Sequence, residues 1–166
     1  MIGICGASGF IGHALFEHLI YKGKTVLGTY CHNSKPGMVR FDIRKSGFDI
    51  FDKCEIVVVL SAYAKIKFCE ENKVEAFFVN VFQTCKLLSY LNDKGIPALF
   101  ISSDASVRAD LMDTTYGKYK KIVEKYIKKK GLKCEYIRPG KITKDNVKEL
   151  CDIVCEQIWA YKGRKD

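Results

Sequence analysis

The chain has 166 residues, 48% hydrophobic and 28% charged, with a formal net charge of +9. That length supports one domain with a real core, and that composition excludes a disordered chain. No uncharged apolar run approaches the roughly 18 residues of a membrane helix, and the start "MIGICGASG" lacks the basic opening of a signal peptide, so a cytoplasmic protein is expected.

In chain order, "MIGIC" is a short apolar strand that runs into glycines. "FIGHALFEHLIYKG" repeats apolar residues at Phe10, Ile11, Ala14, Leu15, Leu19 and Ile20, a helical period that stops at Gly23. "TVLGTY" and "MVRFDI" read as strands, and "GFDIFDKC" as a short helix or turn. "EIVVVLSA" is a β-branched run typical of a strand buried on both faces. Residues from about Lys67 to Lys94 are helical, with a break near Asn72. "IPALFISS" is a fifth strand, "TTYGKYKKIVEKYIKKKG" a helix ending at Gly131, "KCEYIRPG" a sixth strand and "KDNVKELCDIVCEQIWAYKG" a last helix. This alternation implies βαβ units and a parallel sheet. Right-handed crossovers and two mononucleotide-binding halves then predict strand order 3-2-1-4-5-6, a Rossmann-type doubly wound α/β fold of three α/β/α layers. No repeat, linker or second domain interrupts residues 1–166.

The eight cysteines are scattered without a C-x-x-C and are expected as free, mostly buried thiols. Cys31 and His32 are adjacent, but no second pair stands at ligand spacing, so no metal is expected. The basic balance favours anionic partners such as phosphates and nucleotides. No nucleic-acid-binding motif accompanies the lysines, most of which read as solubilising charge.

"GICGASGFIG" places Gly6, Gly9 and Gly12 between the first strand and first helix. Gly6 suits a tight turn, Gly9 lets backbone approach a pyrophosphate, and Gly12 allows close helix–strand packing. The helix start at Phe10, Ile11 and Gly12 offers unpaired N–H groups and a positive dipole end, and Ser8 adds a hydroxyl. A carboxylate at the end of the second strand would favour NAD, but Thr29, Tyr30 and Cys31 supply none. Asn33, Ser34 and Lys35 follow, with Arg40 nearby, which favours NADP(H) over NAD(H). Asp42, followed by Ile43, is positioned to meet the adenine edge from the third strand.

On the lysine-rich helix, Tyr119, Ile122, Val123, Tyr126 and Ile127 form one apolar stripe. Tyr116 lies about 50° from its centre and Lys120 about 90° to the same side, so the two are i,i+4 neighbours on one flank. A tyrosine exchanging a proton near neutrality needs its phenol lowered by about three units, roughly 4 kcal/mol. A nearby ammonium supplies part of that. Ser102 or Ser103, at the end of the fifth strand, is a candidate donor to a substrate oxygen, and Ser103 precedes Tyr116 by 13 residues.

Together these residues resemble the short-chain dehydrogenase/reductase superfamily. The loop "GASGFIG" is similar to its extended, sugar-nucleotide-modifying branch, and "FISSDASV" is similar to the Ser-Thr-Asp segment of dTDP-4-dehydrorhamnose reductases. "FFVNVFQTCKLL", "YGKYKKIVEKY" and "YIRPGKIT" resemble further segments of the branch. The resemblance implies a site role for Asn80, cofactor contacts at Leu60, Ser61 and Ala62, and further contacts at Arg138, Pro139 and Gly140. It implies hydride transfer between a nicotinamide dinucleotide and a carbonyl, on a small or sugar-linked substrate, with Tyr116 as general acid and base. Three departures stand out. "LSAYA" replaces the usual Asn-Ala-Ala, the Ser103–Tyr116 segment is shorter than in dehydrorhamnose reductases, and "RPGKIT" passes almost directly into the last helix where relatives carry a substrate domain. The alternative is therefore a non-catalytic dinucleotide-binding regulatory or scaffold protein. A homodimer or a partner chain covering the cleft is expected on either reading.

Overall fold

A computed structural model describes residues 1–163. Six parallel strands form one sheet in the order β3-β2-β1-β4-β5-β6. They are β1 (Ile2–Cys5), β2 (Val26–Tyr30), β3 (Met38–Arg40), β4 (Ile56–Val59), β5 (Ala98–Ile101) and β6 (Cys134–Ile137). The predicted strand order is therefore observed. The strands are shorter than their apolar runs suggest. "MVRFDI" pairs only through Arg40, because Phe41 and Ile43 turn into the core beneath a loop.

β4 explains why the sheet is covered on both sides. Val57 and Val59 face one core with Phe41, Phe51, Phe100, Leu87, Leu91 and Val123. Ile56 and Val58 face a second core with Leu15, Leu19, Leu99, Val154 and Ile158. Each such side chain contributes about 1.5–3 kcal/mol when fully buried, so the period-2 alternation within one apolar run fastens helices to both faces. α1 (Phe10–Tyr21) and α6 (Val147–Gly163) cover one face. The opposite face takes α4 (Thr84–Asp93) and α5 (Thr115–Lys130).

The helical run before β5 breaks at Asn72, between α2 (Ile66–Glu71) and α3 (Lys73–Phe77). It then passes through a π-helical segment, Phe78–Gln83, before α4. A π segment of this kind is uncommon and locally turns side chains relative to the α-helical pattern; it contains Asn80, which is buried.

α5 starts where its backbone donors are satisfied. Thr114 Oγ1 accepts from Gly117 N at 3.1 Å. The Glu70 carboxylate of α2 accepts from Thr115 N and Thr115 Oγ1 at 2.6 and 2.7 Å. The helix ends at Gly131, whose φ of +59° is the left-handed conformation of a helix stop. Its buried stripe differs from the sequence expectation. Val123 and Ile127 are buried as expected, but the face continues through Lys120 and Glu124, while Ile122 is 41% exposed. Polar partners at the strand ends reward turning those two charged residues inward.

Gly117 sits where a Cβ would lie 2.4 Å from Leu111 O and 2.5 Å from Ala105 O. Gly117→Ala is expected to cost about 1–3 kcal/mol through overpacking, read as a lowered urea midpoint at unchanged m-value. An unchanged midpoint would show that the 105–112 loop yields freely and does not brace α5.

Candidate active site

The glycine turn after β1 is built by contacts that only small residues permit. Gly6 has φ +92°, and a Cβ there would lie 2.8 Å from Ser61 N. A Cβ on Gly12 would lie 2.2 Å from Gly6 O, so this glycine sets how closely α1 crosses the turn. Gly9 is different. A Cβ there would meet only Gly6 O at 3.5 Å, so its other side is open. Gly9 is also the N-cap of α1, with no side chain capping the helix. The first-turn N–H groups, at Phe10, Ile11 and Gly12, are those that helix geometry leaves without intrahelical acceptors. Thr29, on β2, staples the turn: its Oγ1 accepts from Gly6 N at 3.1 Å and donates to Ile4 O at 3.2 Å.

A cleft of about 220 Å³ opens over this turn at the carboxyl ends of the strands. Of the predicted cofactor residues, Gly6, Ser8, Gly9, Tyr30, Asp42, Ile43, Leu60, Ser61 and Ala62 line it. Phe10, Ile11 and Gly12 stand at the α1 start behind Gly9 and do not line it. Asn33, Ser34 and Lys35 do not line it either, since the chain after Cys31 turns outward and leaves Asn33 and Ser34 exposed.

The basic group at the cleft is one that sequence reasoning missed. Arg44 donates through Nε and Nη2 to the two Asp42 oxygens, both at 2.9 Å. Arg44 Nη1 lies 3.6 Å from Glu75 Oε1, which accepts from Tyr63 Oη at 2.6 Å. The hydrogen bonds from Arg44 hold the Asp42 carboxyl at about 2, against the opposing effect of burial. Asp42 thus lines the cleft with its oxygens already engaged. The one sequence signal was the pairing of acid and base two residues apart after the third strand. Thr29, Cys31, His32, Phe41, Tyr63 and Val79 also line the cleft without having been singled out as contacts.

α5 presents its i,i+4 pair, Tyr116 and Lys120, against the end of β5. Lys120 is 4% exposed. Its Nζ donates to Ile101 O at 2.8 Å and stands 4.6 Å from the Phe100 ring centroid and 5.7 Å from that of Tyr116. Burial lowers its ammonium to about 8, opposed by the negative charge of Glu124. The Tyr116 phenol is raised above its ordinary value, chiefly by burial; the Ser103 hydroxyl acts in the lowering direction, and charges at Cys69 and Asp104 would raise it further. The expected lowering by Lys120 is therefore not observed in this arrangement. The ammonium faces the Ile101 carbonyl rather than the phenolic oxygen.

The two serines separate. Ser102 is buried, and its Oγ donates to Glu124 Oε1 at 2.6 Å, which spends its proton away from any substrate. Ser103 Oγ instead donates to Asp104 Oδ1 at 3.3 Å and accepts from Ala105 N at 3.2 Å. Glu124 is 2% exposed and also accepts from Ser106 Oγ at 2.8 Å and from Arg138 Nε and Nη2 at 2.9 and 2.7 Å. Arg138 thus braces α5 rather than lining the cleft. Pro139 O accepts from Asp104 N at 3.1 Å, and Gly140 passes Asp104, where a Cβ would lie 3.5 Å from Oδ2. Asn80 clamps the chain after β4: its Oδ1 accepts from Tyr63 N at 2.8 Å and its Nδ2 donates to Tyr63 O at 2.9 Å. Lys120 thus stands beside the Tyr116 ring, but Tyr116, Lys120 and Ser103 do not line the cleft, and Ser102, Asn80 and Arg138 act on the scaffold.

A family model described as "NAD dependent epimerase/dehydratase family" matches residues 2–141. Comparison with curated proteins found no match. Among solved structures, one is a hypothetical dTDP-4-dehydrorhamnose reductase from Sulfolobus tokodaii, with TM-score 0.73 and 20% identity over 86% of this chain and 56% of that one. Another is a short-chain dehydrogenase/reductase superfamily protein from Agrobacterium tumefaciens with bound NAD, with TM-score 0.70 and 22% identity over 83% of this chain and 48% of that one. A third is a dTDP-4-dehydrorhamnose reductase from Bacillus anthracis in complex with NADP, with TM-score 0.66 and 18% identity over 84% and 52%. The chain spans about half the length of these structures.

Removing the Glu124 charge tests the brace. Burial pushes its carboxyl up, but hydrogen bonds from Arg138, Ser102 and Ser106 outweigh this and leave it below its ordinary value. Its stabilisation is therefore complete above the unfolded value near 4.3–4.5 and lost as pH falls through the lower folded value. Glu124→Ala is expected to cost about 3 kcal/mol near neutral pH, the low end for a broken buried pair because Arg138 is partly exposed. Urea melts at pH 7 and pH 3 should show that difference shrinking in acid; a pH-independent loss would contradict it.

Proposed function

We propose that this chain, which belongs to the NAD dependent epimerase/dehydratase family, acts as an NAD(P)-dependent oxidoreductase that reduces a carbonyl on a small or sugar-linked substrate. The observation that supports this reading is a cleft lined by Gly6, Ser8 and the uncapped α1 N-cap Gly9, together with buried Lys120 set 5.7 Å from the Tyr116 ring centroid on α5. The donor set fits a dinucleotide. Gly9 leaves room for a pyrophosphate, the α1 start offers N–H groups to it, and the cleft extends past Tyr30 to Asp42 and Ile43 for an adenosine. When bound, such a cofactor supplies the hydride.

The protein's part is geometric and acid–base. Tyr116 gives its phenolic proton to the substrate oxygen as the carbonyl is reduced, or takes it back in the reverse direction. Lys120 places a cation 5.7 Å from the Tyr116 ring centroid and, on this reading, is the residue that would donate to ribose hydroxyls. Asn80 holds the chain after β4, which forms one wall of the cleft, by both polar atoms of Tyr63. NADP(H) is favoured over NAD(H), because the end of β2 carries no carboxylate and Arg44 supplies a cation beside it. A homodimer or a partner chain belongs to the same proposal and is supported by the exposed Phe78 and Phe82 on the helical run and Ile122 on α5.

A non-catalytic dinucleotide-binding protein is the second reading, and a cleft lining that includes none of Tyr116, Lys120 and Ser103 favours it. Two measurements separate them. Nicotinamide fluorescence titration is expected to show tighter binding of NADPH than NADH, and failure of both to bind would sink both readings. On a carbonyl panel, Tyr116→Phe is expected to lower kcat by about 10²–10⁴ with cofactor affinity retained. A wild type that binds cofactor and turns over nothing supports the non-catalytic reading.

A further inference from the structure

The helical run before α4 grips the cleft from both sides. Arg44 lines the cleft from the loop after β3, and Tyr63 lines it from the chain after β4. Each is held by this run twice, through its side chain and through its backbone. Glu75, on α3, takes both side chains: it lies 3.6 Å from Arg44 Nη1 and accepts from Tyr63 Oη at 2.6 Å. Asn80 takes the Tyr63 backbone through both of its polar atoms. Gln83 takes the Arg44 backbone, its Nε2 donating to Arg44 O at 3.1 Å. Val79, from the same π-helical segment, lines the cleft itself.

The π segment suits this division. In an α-helix, residues three apart such as Asn80 and Gln83 would point about 60° from one another. The wider π turn spreads them further, so each amide reaches a different loop. Thr84 Oγ1 donates to Val79 O at 2.9 Å, one more tie within the segment. Packing alone does not account for an amide at position 83. Gln83 is 6% exposed, and its Oε1 has no partner among the described residues. A buried acceptor without a partner is unfavourable, and an apolar side chain of the same size would avoid it. The polar contact that the amide does make is the one to Arg44 O.

We propose that Gln83 is a positioning residue for the adenosine end of the dinucleotide, a role that rests on the cofactor reading above. It acts through the Arg44 peptide. The turn there is closed by its own bonds: Ser46 N donates to Asp42 O at 2.8 Å, Asp42 N to Ser46 Oγ at 3.0 Å, and Arg44 N to Asp42 Oδ1 at 3.0 Å. Those bonds shape the turn but do not tie it to the helical run. Gln83 supplies that tie, and with it the placement of Asp42 and Arg44 against the cleft. Without the Gln83 donor the turn keeps its shape and loses its fixed distance from Asn80 and the opposite loop.

Gln83→Met, which keeps the size and removes the donor, tests this in the full chain. Two readouts apply. The first is hydrogen exchange at Arg44 Nε–H, which donates to Asp42 Oδ1, followed in ¹⁵N-arginine-labelled protein and assigned with Arg44→Lys; it should quicken. The second is the Kd of whichever of NADPH and NADH binds more tightly, read by nicotinamide fluorescence; it should rise roughly five- to tenfold, the worth of about one hydrogen bond. Exchange unchanged from wild type, or an unchanged Kd, would overturn the proposal. Val154→Ala, a cavity in the core on the other face of the sheet, should lower the urea midpoint and move neither readout. If it reproduces both changes, the effect of Gln83 is one of general stability and the proposal fails. Should Gln83→Met not fold, Gln83→Glu at pH 8, which turns an acceptor toward Arg44 O, must give the same two changes. If the wild type binds neither dinucleotide, the cofactor reading fails on its own account, and the Arg44 exchange alone decides whether Gln83 holds the turn.

Discussion

The site depends on one buried carboxylate. Glu124 draws hydrogen bonds from Ser102 at the end of β5, Ser106 in the turn beyond it, and Arg138 at the end of β6. Each donor belongs to a different segment, so a single side chain of α5 sets the distance between that helix and two strand ends. A buried ion pair of this kind contributes little net stability, because desolvation offsets most of the attraction. Its consequence is geometric: the carboxylate and its three partners are satisfied together in one arrangement, and removing any of them leaves a buried polar group without its bond.

That arrangement fixes what lies one turn earlier on the same helix. With Glu124 turned into the strand ends, Lys120 must follow at i−4, and it is carried beneath the Tyr116 ring and onto the Ile101 carbonyl. The cost of burying its ammonium appears as a value lowered to about 8. The lysine is thus a fixed and desolvated cation rather than a mobile surface charge. Ser102 is absorbed by the brace, and this leaves Ser103 as the hydroxyl outside it. The division between the two serines follows from the brace, which takes Ser102, and from the turn after β5, which Ser103 caps.

The cleft between Tyr30 and Asp42 is organised by a separate network. Arg44 ties Asp42 to Glu75, and Glu75 ties Tyr63, so the two loops flanking the cleft are joined across its mouth. The glycine turn between them relies on the opposite chemistry, with backbone packed too closely for side chains at Gly6 and Gly12. One half of the site is therefore shaped by charge pairing and the other by the absence of side chains.

The sequence by itself determined the strand order, the glycine turn and the pairing of Tyr116 with Lys120. These rest on local rules: apolar period, glycine conformational freedom and helical spacing. It located Ser103 and Ser102 as candidates but could not divide them, because which serine stays outside the brace depends on partners contributed from β6 and α5. It placed Ile122 on the buried stripe and kept Glu124 and Arg138 out of contact, because periodicity weighs apolar residues and has no knowledge of polar partners some distance along the chain. Only the tertiary structure brought Arg44 to Glu75, 31 positions later in the chain, and set Asn80 against the Tyr63 peptide through a π-helical turn. Those decisions belong to the fold because buried charges and amides are stable only where their partners converge, and convergence across distant segments is not written in any local pattern.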